Sequence, residues 1–374
     1  MQREPAGHTA ASELTPRFHV ALSRHFDLAA MEHGADQDRN PRHILYRVQQ
    51  RLGAAAHVPE QQAVRWIDRL LSLLIAQPAH WALARRLSRE LDRGDVVYCA
   101  GDDIGMALAI ACTVRRKHPT LAVWVMAPSN WRFRAILAAL GTRRVEFLLS
   151  NTPQKCAQLR GLGVPDRRAV LLPDQTDVRF FSPGARLRES PRPMIFAAGL
   201  ERRDYRTLAL ATQDLDLDVC IAAVSPNARA TQSEFPDPVP ANMSIGDYPW
   251  PEYRQALRDA EVVVLPLLPS DYSPGLTVLI EAMACRRPVV ATRSPGTIEE
   301  LIQAGVVVGV EAGDAAGLRE AVARLVEDRQ AAQAQAERGY RLVLERFDSD
   351  RVADGLVTWL ESVAAHGLEE KATR

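Results

Sequence analysis

The sequence predicts an α/β protein with two doubly wound parallel sheets, and three features predict it. Short runs rich in Val, Ile and Leu alternate with stretches of helical length, the order that builds a parallel sheet with helices on both faces. The runs are continuously apolar rather than alternating, as in EVVVLPLL (261–268), which suits strands buried on both faces. A link rich in Pro, Arg and Ser, FFSPGARLRESPRP (180–193), divides the series into two sets.

Taken in order, residues 1–12 read as disordered, and helix-like text then leads into FDLAAM (26–31), which reads as a strand. Pro41 to Leu91 reads as two or three amphipathic helices. A regular alternation follows: strand DVVYCAG (95–101), helix to Lys117, strand LAVWVMA (121–127), helix from Asn130, strand VEFLLS (145–150), helix from Pro153 and strand AVLLP (169–173). Beyond the link, strands are expected at 193–198, 218–224, 261–267, 288–292 and about 306–310, with a helical tail from Ala315 to Ala365. This organisation predicts an N-terminal lobe over 1–185, a C-terminal lobe over 186–350 and a C-terminal helix over 351–374 that can cross back to the first lobe.

Composition bounds the chemistry. At 374 residues, 47% hydrophobic and 25% charged, the chain is long enough for two lobes with real cores. The formal net charge is zero, so nothing points to nucleic acid as the partner. Lys117, Lys155 and Lys371 are the only lysines among 46 basic residues, which with the abundant alanine suggests a GC-rich bacterial genome. Cys99, Cys112, Cys156, Cys220 and Cys285 lack paired spacing and sit mostly in apolar runs, so they read as reduced core thiols. No stretch approaches the roughly 20 apolar residues of a membrane span, and the first residues lack a signal peptide's apolar core. A cytoplasmic protein is expected, with peripheral contact at the inner membrane face left open.

The strongest chemical signal is DYSPGLTVLIEAMACRRPVVAT (271–292). Ser273 is a residue type favoured at a helix N-cap and Pro274 one favoured at the first helical position, so a helix is expected to start there. Leu276, Leu279, Ile280, Met283 and Ala284 repeat at helical spacing as a buried stripe, with Thr277 and Glu281 beside it. The free amides of Gly275, Leu276 and Thr277 at a helix start suit an anion such as a phosphate, and Gly275 lets it approach the backbone. Glu281, one turn deeper, can accept hydrogen bonds from vicinal hydroxyls. The same residues also fit an ordinary strand-to-helix unit in which Glu281 faces water.

This segment resembles the donor-site signature of retaining glycosyltransferase family 4, or group 1, whose members have the GT-B fold: two Rossmann-like lobes with a donor cleft between them. In that family two glutamates separated by seven residues bracket the helix, followed by an Ala-Met-Ala run and a Pro-Val-Val-Ala-Thr strand. Here the second glutamate is Glu281, followed by Ala282, Met283 and Ala284 and then Pro288, Val289, Val290, Ala291 and Thr292, while Ser273 stands in place of the first. PMIFAAGLERRDYRTLALA (193–211) is similar to the strand, glycine and helix that open the family's C-terminal lobe, where an Arg and a Lys clamp the donor diphosphate. That resemblance places Arg203 at the lysine, Leu200 or Arg202 near the arginine, and Gly199 at the glycine. GVPDRRAVLLPDQTDVRFFSPG (163–184) resembles the interlobe segment, with Pro173, Asp174, Gln175, Thr176 and Asp177 where Pro-Asn-Gly-Val-Asp is usual. In the family the turn around GDYP (246–249) lies beside the nucleotide base, which puts Tyr248 against the ring; Trp250 reads at least as well as interior packing.

The resemblance implies transfer of a sugar from a nucleotide-diphosphate donor to a hydroxyl acceptor on a polysaccharide, lipid-linked glycan or small glycoside, with retention. Neither a metal nor another cofactor is implied, because Arg203 and the amides of Gly275 to Thr277 would stabilise the departing diphosphate. Ser273, Gly275, Leu276, Thr277, Glu281, Gly199, Arg202 and Tyr248 would hold the donor. On the acceptor side the family's usual first strand and glycine-rich loop are not apparent. The candidates there are Asp102 and Asp103, at the end of the strand 95–101, and His33, in MEHG. Helix N-capping and solvation, respectively, are the plainer readings of these residues. A degenerate protein that binds a nucleotide sugar or a partner without turnover, and a sugar-nucleotide epimerase, are the alternatives.

Overall fold

A computed structural model describes residues 17–142, 144–223, 235–270 and 272–372; the disorder expected over 1–12 lies outside them. Six strands form the first sheet: β1 (Phe18–Ala21), β2 (Ala55–His57), β3 (Val96–Cys99), β4 (Thr120–Trp124), β5 (Phe147–Ser150) and β6 (Ala169–Leu171), in the order β2-β1-β3-β4-β5-β6. The second sheet contains β7 (Met194–Ala198), β8 (Asp218–Ala222), β9 (Met243–Gly246), β10 (Val262–Leu265), β11 (Val289–Thr292) and β12 (Val308–Val310), in the order β12-β11-β10-β7-β8-β9. All five pairings of the second sheet are parallel, as are those linking β2, β1, β3 and β4 in the first.

The continuous apolar runs have the cause the sequence suggests. Along β7, Phe196 and Ala198 face a core shared with Leu279, Ile280 and Met283. Ile195 and Ala197 face the opposite core, shared with Leu208, Val219, Val264 and Leu318. Each strand therefore needs apolar residues at successive positions.

Both sheets reverse their winding at an interior strand pair. From β7 the chain builds outward through β8 and β9, then returns to β10 and builds the other way through β11 and β12. In the first sheet the reversal falls between β1 and β3. Loops leaving the carboxyl ends of such a pair diverge to opposite faces, which opens a crevice where these folds place ligands.

Three expectations need correction. Residues 26–31 do not form a strand: Leu28–Asp36 is a helix, N-capped by Asp27, whose side chain accepts from the Ala30 amide at 2.9 Å. The first sheet does not begin late, because FHVA supplies β1, hydrogen-bonded on both edges. What is missing is glycine, since none occurs between β1 and Gly34. The link at 180–193 is also shorter than its composition suggests, because Phe180 and Phe181 are 2% and 1% exposed and belong to the second sheet's core. By contact the chain divides into two units, one built on residues up to His25, Gln49–Leu148 and residues from Val357, the other on Phe26–Val48 and Leu149–Leu356.

Candidate functional site

The loops leaving β7 and β10 meet around one guanidinium. Arg203 is 2% exposed, which excludes the solvated helix-start arginine that its sequence context allows. Its Nε donates to the Ala198 carbonyl and its Nη1 to the Glu201 carbonyl, each at 2.7 Å. Among the described residues it makes no ion pair. A buried cation held by carbonyls, without a carboxylate, is uncommon because desolvation disfavours the charge. Burial accordingly lowers its pKa, and Tyr205, Tyr253 and Glu201 offset this only in part.

Two left-handed glycines make room for that side chain. Gly199 (φ +92°) follows β7, and a Cβ there would lie 2.5 Å from Arg203 Nη2. At Gly275 (φ +72°) the same atom would lie 2.4 Å away. Both positions favour glycine twice over, by backbone conformation and by close approach. The Arg203 backbone also bridges Leu267 just beyond β10.

Gly275 is the N-cap of the helix Leu276–Ala284, and no side chain caps it. The expected start at Ser273 and Pro274 is corrected by this left-handed residue, which turns the chain into the helix later. Ser273 serves the next loop instead: its Oγ donates to the Pro295 carbonyl at 2.8 Å and accepts from the Ile298 amide at 3.2 Å. Leu276 is buried and Thr277 exposed. The first-turn amides thus emerge beside the Arg203 guanidinium, where the helix dipole and a cation act on the same point.

Glu281 does not face water. It is 6% exposed and its Oε2 accepts from the Tyr253 hydroxyl at 2.7 Å. Burial pushes its carboxyl up to about 8, and the bond from Tyr253 offsets part of the rise. Tyr253 lies 28 residues away on another helix, and no local pattern in the sequence links the two. Tyr248 packs edge-on to Phe196 at 5.8 Å and is partly buried against the core. Trp250 is 47% exposed, with its ring against Phe181 and Tyr253. Arg202, at φ +56°, donates to the Pro269 carbonyl and lines a cleft of about 550 Å³ with Pro269, Ser270 and Tyr272.

The interlobe motif is structural in part. Asp177 accepts from the Arg42 and Arg179 amides at 2.8 and 3.0 Å, while Asp174 accepts from Asn151 Nδ2 at 2.9 Å and burial raises its pKa.

The switch point of the first sheet carries a second polar cluster. Asp103 Oδ1 accepts from Ser23 Oγ at 2.6 Å. His80 Nδ1 accepts from the Gln77 amide, which leaves the proton on Nε2 to donate to the Ser23 carbonyl at 2.7 Å, and Nε2 lies 3.5 Å from Asp103 Oδ2. Serine bonds to the carboxylate rather than to the imidazole, so this is not a nucleophile-and-base arrangement. It holds an acceptor carboxylate in a fixed position. Gly101 permits it, since a Cβ there would meet Ser23 Oγ at 2.1 Å. Asp102 opens the same helix. Ser23 and His80 escaped the sequence reading because β1 did. His33 sits in the last turn of its helix, exposed and 3.0 Å from Gln37 Nε2, and joins neither cluster.

Residues 209–328 match the family model for glycosyl transferases group 1. That match covers about a third of the chain, within the second unit. By sequence no curated protein matches it, whereas the fold has many likenesses. HepE of Anabaena, solved with UDP and glucose, superposes with a TM-score of 0.67 at 13% identity, covering 92% of this chain and 99% of that one. Sucrose-phosphate synthase from Thermosynechococcus elongatus gives 0.65 at 16% identity, covering 94% and 100%. Trehalose 6-phosphate synthase from Burkholderia multivorans gives 0.63 at 13%, covering 95% and 98%. The two sheets are those of a GT-B fold.

Proposed function

We propose that this chain is a group 1 glycosyltransferase that moves a sugar from a nucleotide-diphosphate donor to a hydroxyl acceptor with retention and without a metal. The observation that carries the reading is Arg203: a buried guanidinium with no acidic partner among the described residues, set against the uncapped start of Leu276–Ala284. An anionic diphosphate supplies the charge this place lacks. As the bond from the anomeric carbon to the diphosphate oxygen breaks, the acceptor oxygen bonds to that carbon from the same face. Its proton passes to a donor phosphate oxygen, and the negative charge gathers on the leaving diphosphate, where Arg203 and the amides of Gly275, Leu276 and Thr277 stabilise it. Glu281, with one oxygen committed to Tyr253, uses the other to accept from ribose hydroxyls; Gly199, Arg202, Ser273 and Tyr248 complete the donor contacts. Asp103, with Asp102 beside it, orients the acceptor.

HepE structures hold UDP and UDP-glucose, so uridine nucleotides are the donors to test first, followed by GDP and ADP. The expected site of action is the cytoplasm, with lipid-linked glycans among the acceptors. Calorimetry on the folded Arg203→Met protein should show nucleotide diphosphate binding weakened roughly tenfold to a hundredfold, the worth of a charge-assisted phosphate contact. Unchanged affinity removes Arg203 from the site. Transfer should continue in EDTA, and loss of turnover on chelation would overturn the metal-free reading.

A further inference from the structure

The first unit carries a helix whose amphipathy is inverted. Along Trp66–Leu71 and the turn that follows, Trp66, Leu70, Leu73 and Leu74 fall at spacings of four, seven and eight, the stripe that normally faces a core. Here they are 76%, 53%, 72% and 53% exposed. The side facing inward carries Asp68, 1% exposed, which accepts from Arg85 Nη2 at 2.9 Å and caps the Arg65 amide at 2.8 Å. Trp81 Nε1 pins the far end by donating to the Ile75 carbonyl at 2.8 Å. The outward presentation is therefore built into the fold, since the segment is tied down from beneath at both ends. Exposed apolar stripes of this kind are uncommon on monomers and mark contact surfaces.

The charges between the apolar residues choose the occupant. Arg65 and Arg69 are exposed, and from Gln61 to His80 the one acidic residue is Asp68, already buried against Arg85. A second copy of this chain meeting the patch across a two-fold axis would set these arginines against one another with no acid to pair them. An anionic bilayer satisfies both halves: apolar side chains enter the acyl boundary while the arginines meet lipid phosphates. No helix among the described residues is long and apolar enough to span a membrane, so the contact is interfacial. We infer that Trp66, Leu70, Leu73 and Leu74, flanked by Arg65 and Arg69, dock this protein onto an anionic lipid surface. The inference rests on this helix alone and stands or falls apart from the donor site.

Vesicle flotation tests it with the full chain, using phosphatidylcholine vesicles with and without one third phosphatidylglycerol. The natural protein should float with the anionic vesicles and much less with the neutral ones. Arg65→Gln with Arg69→Gln should weaken that binding about thirtyfold, the worth of two basic residues at such a surface. Leu70→Ser with Leu73→Ser should weaken it at least as much. All these side chains are exposed, so the variants should keep the natural melting temperature and nucleotide affinity. Failure of the natural protein to float overturns the proposal. So does equal flotation with neutral vesicles, or a concentration-dependent dimer in sedimentation velocity that the Leu→Ser variant abolishes.

Discussion

Two buried ionisable side chains, Arg203 and Glu281, anchor the proposed donor site, and the protonation of Glu281 gives it a pH signature. Glu281 has its carboxyl pushed up to about 8 by burial, from an ordinary carboxylate range near 4.5. Between those values the unfolded chain gives up this proton and the folded chain keeps it, so stability falls as pH rises through the interval, and the loss is complete above about 8. Glu281→Gln keeps an acceptor for the Tyr253 hydroxyl without a proton to lose. The natural protein should therefore lose more melting temperature between pH 5 and pH 8.5 than the variant, by at least about 3 °C. Parallel curves in calorimetric scans would show that Glu281 is ionised throughout. The ligand gives an independent check. Above about pH 8, where the folded Glu281 is ionised, natural protein should prefer the ribonucleotide over its 2′-deoxy analogue, and Glu281→Gln should narrow that preference, because a charged acceptor rewards the hydroxyl more than a neutral one.

At the scale of elements, legibility followed local chemistry. The strands β7, β10 and β11 were readable because burial on both faces leaves unbroken apolar runs. The strands β1 and β2 were not: FHVA and AAH are short and include His19 and His57, whose rings stack at 5.3 Å, a pairing that exists only once the strands lie side by side. FDLAAM is a short apolar run that periodicity alone cannot assign, and the Asp27 cap decides it for helix. Arg203 and Gly275 were readable as candidates, but their convergence was not, since it depends on two loops brought together by the β7–β10 switch. That convergence makes a glycine comparison informative. Gly275→Ala adds left-handed strain of about 1–2 kcal/mol and pushes the guanidinium aside. Gly305 has φ +67° with nothing within 4 Å of a built Cβ, so Gly305→Ala adds the strain alone. Both variants should melt lower, and only Gly275→Ala should lose nucleotide affinity. If both retain it, the contact between Gly275 and Arg203 has no part in binding.

For the whole molecule, the proposed function divides the labour between two sheets of like winding. Each sheet has one switch point and one polar cluster there, and the two differ in kind. Around Arg203 the groups are donors and a cation, suited to an anion; around Asp103 the exposed atoms belong to a carboxylate held by Ser23 and faced by His80, suited to a hydroxyl. This difference predicts separable defects. Asp103→Asn keeps the size of the side chain and removes its charge, so it should raise the acceptor KM or lower transfer by about tenfold, the worth of one hydrogen bond to a charged group. The thermal stabilisation conferred by nucleotide diphosphate should not move. Ser23→Ala frees one carboxylate oxygen without removing the acid, so it should produce a smaller loss in the same direction. If Asp103→Asn instead diminishes nucleotide stabilisation and leaves acceptor kinetics intact, the acid belongs to donor binding and the first sheet's cluster does not hold the acceptor.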